Sequence, residues 1–249
     1  MNRLEGKVGV VTGAANGIGE AIARAFARHG AWVLLVDIDE QNGEAVAANI
    51  RAGGGQCLFC LTDVSSESDV NKACQLAAQK TGRIDVLCNN AAYLGAFRDV
   101  LGATTEEWMR CFHVTVLGTH YFTRAALPFM MEQKHGSIIN IASVQALVGC
   151  PASAAYASVK SALVGFTLST AFDYGRYNIR VNAICPGSIQ TRVSPKPGEP
   201  QYQRQCEETM LGRVGQPREV ADVALFLASD EASYITAAIL PVDGGFVAK

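Results

Sequence analysis

Charge is scarce in this chain: Asp, Glu, Lys and Arg make up 18% of 249 residues, and the formal net charge is −2. No basic stripe or Lys/Arg-rich tail stands out, which argues against nucleic acid as the main partner. Long apolar runs are missing as well, none approaching the ~18 residues that a bilayer-spanning helix needs. The start, MNRLEGKVGVVTGAANGIGE, passes from a short apolar segment straight into a glycine turn and has no signal-peptide pattern. Eight cysteines in a chain of this length do not make a disulfide scaffold. Neither a metalloprotease HExxH nor a hydrolase G-x-S-x-G elbow occurs, and repeats, low-complexity tracts and domain linkers are lacking. These absences predict a soluble, cytoplasmic protein with free thiols and no metal.

Hydrophobic residues, in contrast, reach 49%. That suits a core buried on both faces of a sheet, and a mean hydropathy of +0.14 points to a subunit interface besides. Compact apolar runs recur at Lys7–Thr12, Ala31–Val36, Gln56–Leu61 and Ile84–Asn89, then at Gly136–Ser143, Asn178–Cys185 and Ala238–Val242. Helical patterns separate them. The alternation predicts an α/β fold: one domain over residues 1–249, a doubly wound, mostly parallel seven-stranded sheet with helices on both faces. A long helix is predicted over Thr105–Glu132, redirected near its end by Pro128, another over Ser153–Arg176, and a last one over Glu219–Ala228. From 188 to 215 the pattern degrades, with Pro195, Pro197 and Pro200 in a polar stretch just after a strand. That stretch is expected to form a substrate lid.

The first strand runs into Gly13, Gly17 and Gly19 and then a helical pattern. Strand, glycine turn and helix form the context of a Rossmann-type phosphate site, where the helix N-terminus supplies donors and partial positive charge. Asp37, at the end of the second strand, is placed to accept adenosine ribose hydroxyls and to repel a 2′-phosphate. Since Ala14, Ala15, Asn16 and Ile38 carry no positive charge, NAD is favoured over NADP. Asp37 could equally cap the following helix. Cys57 and Cys60 form a CxxC on a strand, so they point to opposite faces and read as structural. His113 and His120 read as core or interface histidines.

In SAAYASVKSALVGFTLST, residues 153–170, Tyr156 and Lys160 stand four apart, on one face of a helix. A free phenol titrates near ~10, and a close positive charge favours its ionised form. Bringing Tyr156 to pH 7 to 8 takes on the order of 3 to 4 kcal/mol of differential interaction. A surface Tyr beside a solvated Lys is the plainer alternative. Position favours chemistry: Gly13, Asp37, Asp63, Asn89, Ser143 and Pro186 all fall at the carboxyl ends of strands, where ligands bind such sheets.

With these residues assembled, the whole chain resembles the short-chain dehydrogenase/reductase superfamily, in its short single-domain branch. The matching pieces are Thr12 with Gly13, Gly17 and Gly19; Asp63; Asn89-Asn90-Ala91; Ser143; Tyr156 with Lys160; Pro186-Gly187; and Thr191. The resemblance implies that Tyr156 is the acid/base and that Ser143 hydrogen-bonds the substrate oxygen. Lys160 would hold the nicotinamide ribose and lower the Tyr156 pKa. Asp63 and Val64 would meet the adenine, Asn89, Asn90 and Ala91 would flank the ribose, and Ile189 and Thr191 would contact the carboxamide. Asn16, Ile18 and Ile38 complete the expected NAD-binding set. The resemblance also implies a homotetramer in which the long helices pair across two-fold axes.

Two departures stand out. Ala92 replaces the usual Gly of NNAG, and in VTVLGT Thr115 occupies the place of an Asn that bends its helix and serves the proton relay. Thr115 stays among the catalytic candidates, with a hydroxyl that could bond its own i−4 carbonyl. The substrate pocket is expected to be lined by Tyr93, Leu94, Gln145, Cys150, Ser188, Ile189 and the lid. That mostly apolar set predicts a neutral, hydrophobic or cyclic substrate, although Arg192 and Lys196 on the lid pull the other way. The expected reaction is reversible hydride transfer between NAD and a secondary alcohol or ketone. A non-catalytic dinucleotide sensor or scaffold, and an epimerase or dehydratase using NAD transiently, are the alternatives.

Overall fold

The structure, a computed structural model, describes residues 2–249. The apolar runs become β1 (Val8–Thr12), β2 (Trp32–Asp37), β3 (Gln56–Leu61), β4 (Val86–Asn89), β5 (Gly136–Ile141), β6 (Ile179–Pro186) and β7 (Ile239–Val242). They form one sheet in the order β3-β2-β1-β4-β5-β6-β7, with every neighbouring pair parallel. The order reverses direction between β1 and β4, which opens a crevice at their carboxyl ends.

Helices cover both faces: α1 (Gly17–Arg28), α2 (Glu40–Ala52), α3 (Glu67–Thr81), α4 (Thr105–Cys111), α5 (Gly118–Gln133), α6 (Ala154–Tyr174), α7 (Pro200–Glu207) and α8 (Pro217–Ala228). Adjacent strand residues serve opposite cores, because side chains alternate along a strand. Val11, Leu35 and Ile139 pack with Ile22, Phe26 and Leu225. Val10, Leu34 and Ile138 pack on the other face with Phe122, Ala126 and Met130. Burying each such large side chain contributes roughly 1.5–3 kcal/mol, and double-sided burial explains why the strands read as continuous apolar runs.

Several predicted elements change shape. The helix expected over 105–132 is divided: α4 passes into a π-helical turn, Phe112–Leu117, before α5 begins. Thr115 lies fully buried within that turn. A π turn inserts a residue into the helical count and marks functional positions often. Pro128 lies inside α5 without ending it. Residues 84 and 85 stay outside β4, where the buried Asp85 carboxylate accepts the Val8 N–H at 2.8 Å. The stretch 188–215 is not patternless, since it contains α7, and a parallel bridge between Ile189 and Gly215 ties its two ends together. His113 and His120 are exposed rather than core residues, and the His120 ring meets Phe166 edge-on at 6.3 Å. Cys57 and Cys60 are free thiols.

Candidate active site

At the head of α1, Asn16 occupies the N-cap in an extended conformation and makes no side-chain cap. The first amides of the helix are therefore left for a ligand, as an anion site requires. Gly17, at φ +59°, faces a cleft of about 500 Å³ shared with Ala15, Asn16, Gln190, Thr191 and Arg192. Gly13 and Gly19 also meet a packing demand. A Cβ on Gly19 would sit 2.0 Å from the Gly13 carbonyl oxygen, and one on Gly13 would sit 2.7 Å from Asn90 Nδ2. These two glycines let the turn close on Asn90, while Gly17 alone of the three opens on the cleft.

The asparagines after β4 brace this turn. Asn90 Nδ2 donates to the carbonyls of Thr12 and Gly13 at 2.9 and 3.1 Å, and Thr12 Oγ1 accepts the N–H groups of Asn90 and Ala91. Asn89 Nδ2 donates to Asn140 Oδ1 and Thr123 Oγ1, whereas its own carbonyl oxygen is buried with no partner. Asp37 Oδ2 accepts the Ala15 N–H at 2.9 Å and Oδ1 the Asp39 N–H at 3.0 Å. That fixes a carboxylate between the glycine turn and the end of β2. The α2 cap is Asp39, which accepts the Asn42 N–H, so Asp37 is free of that role. Ile38 is exposed beside it, and Val64 is buried where Gly118 permits close approach: a Cβ there would lie 3.0 Å from Val64 Cγ2. Uncapped helix amides, an open Gly17, a fixed carboxylate and the unpartnered acceptors of Asn89 and Gln190 fit a dinucleotide.

At the reacting end, Ser143 is buried just beyond β5, and its Oγ accepts the Gln145 N–H, starting the short 3-10 turn Val144–Ala146. Burial pushes the Tyr156 phenol up to about 12, and the Ser143 hydroxyl draws it back in part. Lys160 is buried on the next turn of α6, and burial lowers its ammonium to about 8. Its Nζ donates to the Ile141 carbonyl at 2.6 Å and stands 5.7 Å from the Tyr156 ring centroid. In this structure burial outweighs any lowering of the phenol by Lys160. Its charge is anchored on the sheet, and desolvation dominates at Tyr156.

The expectation for Thr115 is corrected. Its Oγ1 accepts the Tyr93 N–H at 3.3 Å instead of bonding its i−4 carbonyl, and its own carbonyl accepts from Thr119 Oγ1 at 2.8 Å. The hydroxyl ties the segment after Ala92 to the π turn.

Above Ser143 and Tyr156 opens a cavity of about 1160 Å³, which Leu94, Gln145, Cys150, Ser188 and Ile189 line. Tyr93 does not. Its ring lies 4.3 Å under the Arg110 guanidinium and packs with Cys111, Ala155 and Val159. Phe97, which the sequence reading missed, takes that place: its ring centroid is 6.0 Å from that of Tyr156. Phe97 adopts φ +49°, a strained conformation for a bulky residue. Glu107 holds it there by accepting the Ala96 N–H and pairing with Arg98 at 4.0 Å. A lone Phe in an aperiodic loop carries no signal of this in sequence.

A family model described as enoyl-(acyl carrier protein) reductase matches residues 13–247. The chain belongs to the short-chain dehydrogenase/reductase superfamily. A 3-oxoacyl-[acyl-carrier-protein] reductase, FabG, of Thermotoga maritima is 39% identical over 247 residues, 98% of this chain and 99% of that one. A cyclopentanol dehydrogenase of a Comamonas species is 39% identical over 251 residues, all of both chains. The structure of a 7α-hydroxysteroid dehydrogenase complexed with NADH and 7-oxo glycochenodeoxycholic acid superposes with a TM-score of 0.93 at 35% identity. That match covers 98% of this chain and 95% of the other. As a short-chain dehydrogenase/reductase, the protein is an oxidoreductase with a fold of the family that binds a nicotinamide dinucleotide. No helix among the described residues is long and apolar enough to cross a membrane.

Proposed function

We propose that this protein is an NAD-dependent dehydrogenase that interconverts a secondary alcohol and its ketone, with a neutral, largely apolar or cyclic substrate. The reading rests on the meeting of the Ser143 hydroxyl and the Tyr156 phenol at one wall of a cavity that Leu94, Phe97 and Ile189 line beside them, with the charged Arg204, Glu207, Glu208 and Lys249 on the side of α7 and the C-terminus. Ser143 and Tyr156 hold the substrate oxygen. Tyr156 takes its proton during oxidation and returns it during reduction. The nicotinamide, when bound, supplies the hydride chemistry. Lys160 holds the ribose beside Tyr156, and Asp63, Val64, Ala91, Pro186, Gly187, Ile189 and Thr191 complete the cofactor contacts. Thr115 acts as a positioning residue through the loop it tethers, and the stretch 188–215 acts as a lid.

Asp37 selects NAD over NADP, because its fixed carboxylate repels a 2′-phosphate. Purified protein incubated with NAD and a panel of secondary alcohols is expected to form NADH, read by absorbance. Its kcat/KM with NADP should be lower by about 30-fold, and Asp37→Ala should narrow that gap by about tenfold. An equal or greater rate with NADP would sink the assignment of NAD. Absence of turnover across the whole panel would sink the enzymatic reading.

The protein is also proposed to be a homotetramer. The outer face of α6 exposes Leu168 and Phe172, the latter 90% accessible, and such apolar side chains at helical spacing suit a subunit contact. Sedimentation at micromolar concentration is expected to give about four chain masses, and a monomeric value would remove the proposal.

A further inference from the structure

Phe97 holds a backbone conformation that its side chain disfavours. It stands at φ +49°, where a bulky residue is strained and glycine is at ease. Burial does not explain its presence, because half of the residue is exposed. Folding alone would favour a glycine here. Strained residues persist where their surroundings hold them, and they gather at active sites and ligand clamps.

The surroundings do hold it. Thr104 caps α4 by accepting the Glu107 N–H at 3.2 Å, which sets Glu107 in the first turn. The Glu107 carboxylate accepts the Ala96 N–H and pairs with Arg98 at 4.0 Å, so one side chain grips both neighbours of Phe97. Gly95 makes room for that grip: a Cβ there would stand 2.9 Å from Glu107 Oε1. Asp99 closes the following turn, its Oδ1 accepting the Gly102 N–H at 2.8 Å.

The ring so placed is the one aromatic group packed on Tyr156 among the described residues, with centroids 6.0 Å apart and planes inclined at 54°. The gap bounded by Phe97, Glu107, Ser153, Ala155 and Tyr156 measures about 10 Å³, room for one water at most. A ligand therefore cannot slip behind the ring. It meets Phe97 from the larger cavity, whose wall holds Ser143, Tyr156 and Phe97 together. That wall is mixed, for Arg204, Glu207, Glu208 and Lys249 also line it. The Phe97 ring supplies a fixed apolar surface at the reacting phenol itself.

We infer that Phe97 is a specificity-determining residue: its ring is the face on which a cyclic substrate lies while the carbinol meets Tyr156, and Glu107 is the positioning residue that keeps the ring there. A rigid substrate ring covers a rigid aromatic face without losing internal freedom, whereas an open-chain alcohol must be immobilised to cover the same area. The inference rests on the proposed alcohol/ketone chemistry and names the residue that selects the ring.

The test compares NAD-linked oxidation of size-matched secondary alcohols, cyclohexanol with 3-hexanol and cyclopentanol with 3-pentanol. Wild type should favour the cyclic member by about tenfold or more in kcat/KM. The preference should fall below about threefold in Phe97→Ala and Phe97→Leu, through KM more than kcat, and survive in Phe97→Tyr, which keeps a flat ring. Glu107→Ala should reproduce the loss, and the double variant with Phe97→Ala should lose no more, since Glu107 acts through the ring. Phe97→Leu keeps apolar bulk and carries the test if Phe97→Ala does not fold. A thermal readout checks the strain: Phe97→Gly should melt about 2 to 4 °C above Phe97→Ala. A wild type indifferent to the ring, a preference retained by Phe97→Leu, additive effects of the two residues, or equal melting of the glycine and alanine variants would overturn the inference and leave the dehydrogenase reading intact. Failure of wild type to oxidise any secondary alcohol would remove both.

Discussion

Lys160→Met is expected to lose about 10³-fold or more of kcat/KM for alcohol oxidation and yet to melt at a higher temperature than wild type. The ammonium is 2% exposed, and burial lowers it from 10.5 to about 8. A base whose folded pKa lies below its unfolded value binds fewer protons in the folded state between those two values. Stability therefore rises with pH across the window from about 8 to 10.5 and is lowest, for this group, below it. At pH 7 the buried charge costs roughly 3 kcal/mol. Losing the hydrogen bond to the Ile141 carbonyl takes back about 1 kcal/mol, which leaves a net gain of about 2 kcal/mol. For a chain of this size that raises the midpoint by about 4 to 8 °C. Differential scanning calorimetry at pH 7 checks it, and a lower midpoint for Lys160→Met would refute it. Calorimetry at pH 7 and pH 10 adds a control: this contribution grows with pH in wild type and is absent from the variant.

Tyr156→Phe should reduce kcat/KM by about 10³ to 10⁴-fold, near the upper end of what a positioned acid/base supplies. The pH profile distinguishes this role from a packing role. Oxidation needs the phenolate, and the protein's own groups hold the phenol up to about 12. Rates of alcohol oxidation should accordingly climb with pH from 7 to 10, whereas ketone reduction, which uses the neutral phenol, should not. In Tyr156→Phe the climb disappears. Binding of NADH, followed by its fluorescence, should change by less than about twofold, because the ring remains in place. A variant that keeps both the wild-type rate and the slope would exclude Tyr156 as the acid/base.

How much of this site could be read before folding differs from residue to residue. The spacing of Tyr156 and Lys160, the glycines after β1 and the carboxylate ending β2 are local patterns, and each lies where the strand and helix periods put it. Distant contacts behaved otherwise. Gly13 and Gly19 read as glycines of the phosphate turn, and the fold adds a demand that this pattern does not show: they leave room for Asn90, which is 77 positions from Gly13. Thr115 looked like a residue bonded to its own helix, yet its hydroxyl receives the amide of Tyr93, 22 positions away. Tyr93 and Phe97 both follow β4, and only the packing of Arg110 and the grip of Glu107 decide which ring faces Tyr156.

The sequence by itself determined the parallel sheet, because continuous apolar runs alternating with helical patterns are buried only in a doubly covered sheet. It likewise determined which strand ends carry polar chemistry, since element order and turn residues are written in the chain. Tertiary structure alone decided where the Lys160 charge goes, that a π turn divides α4 from α5, and that Phe97 packs on Tyr156. Those outcomes depend on desolvation and on side chains converging from separate elements. Neither has a period, so neither leaves a mark in the order of residues.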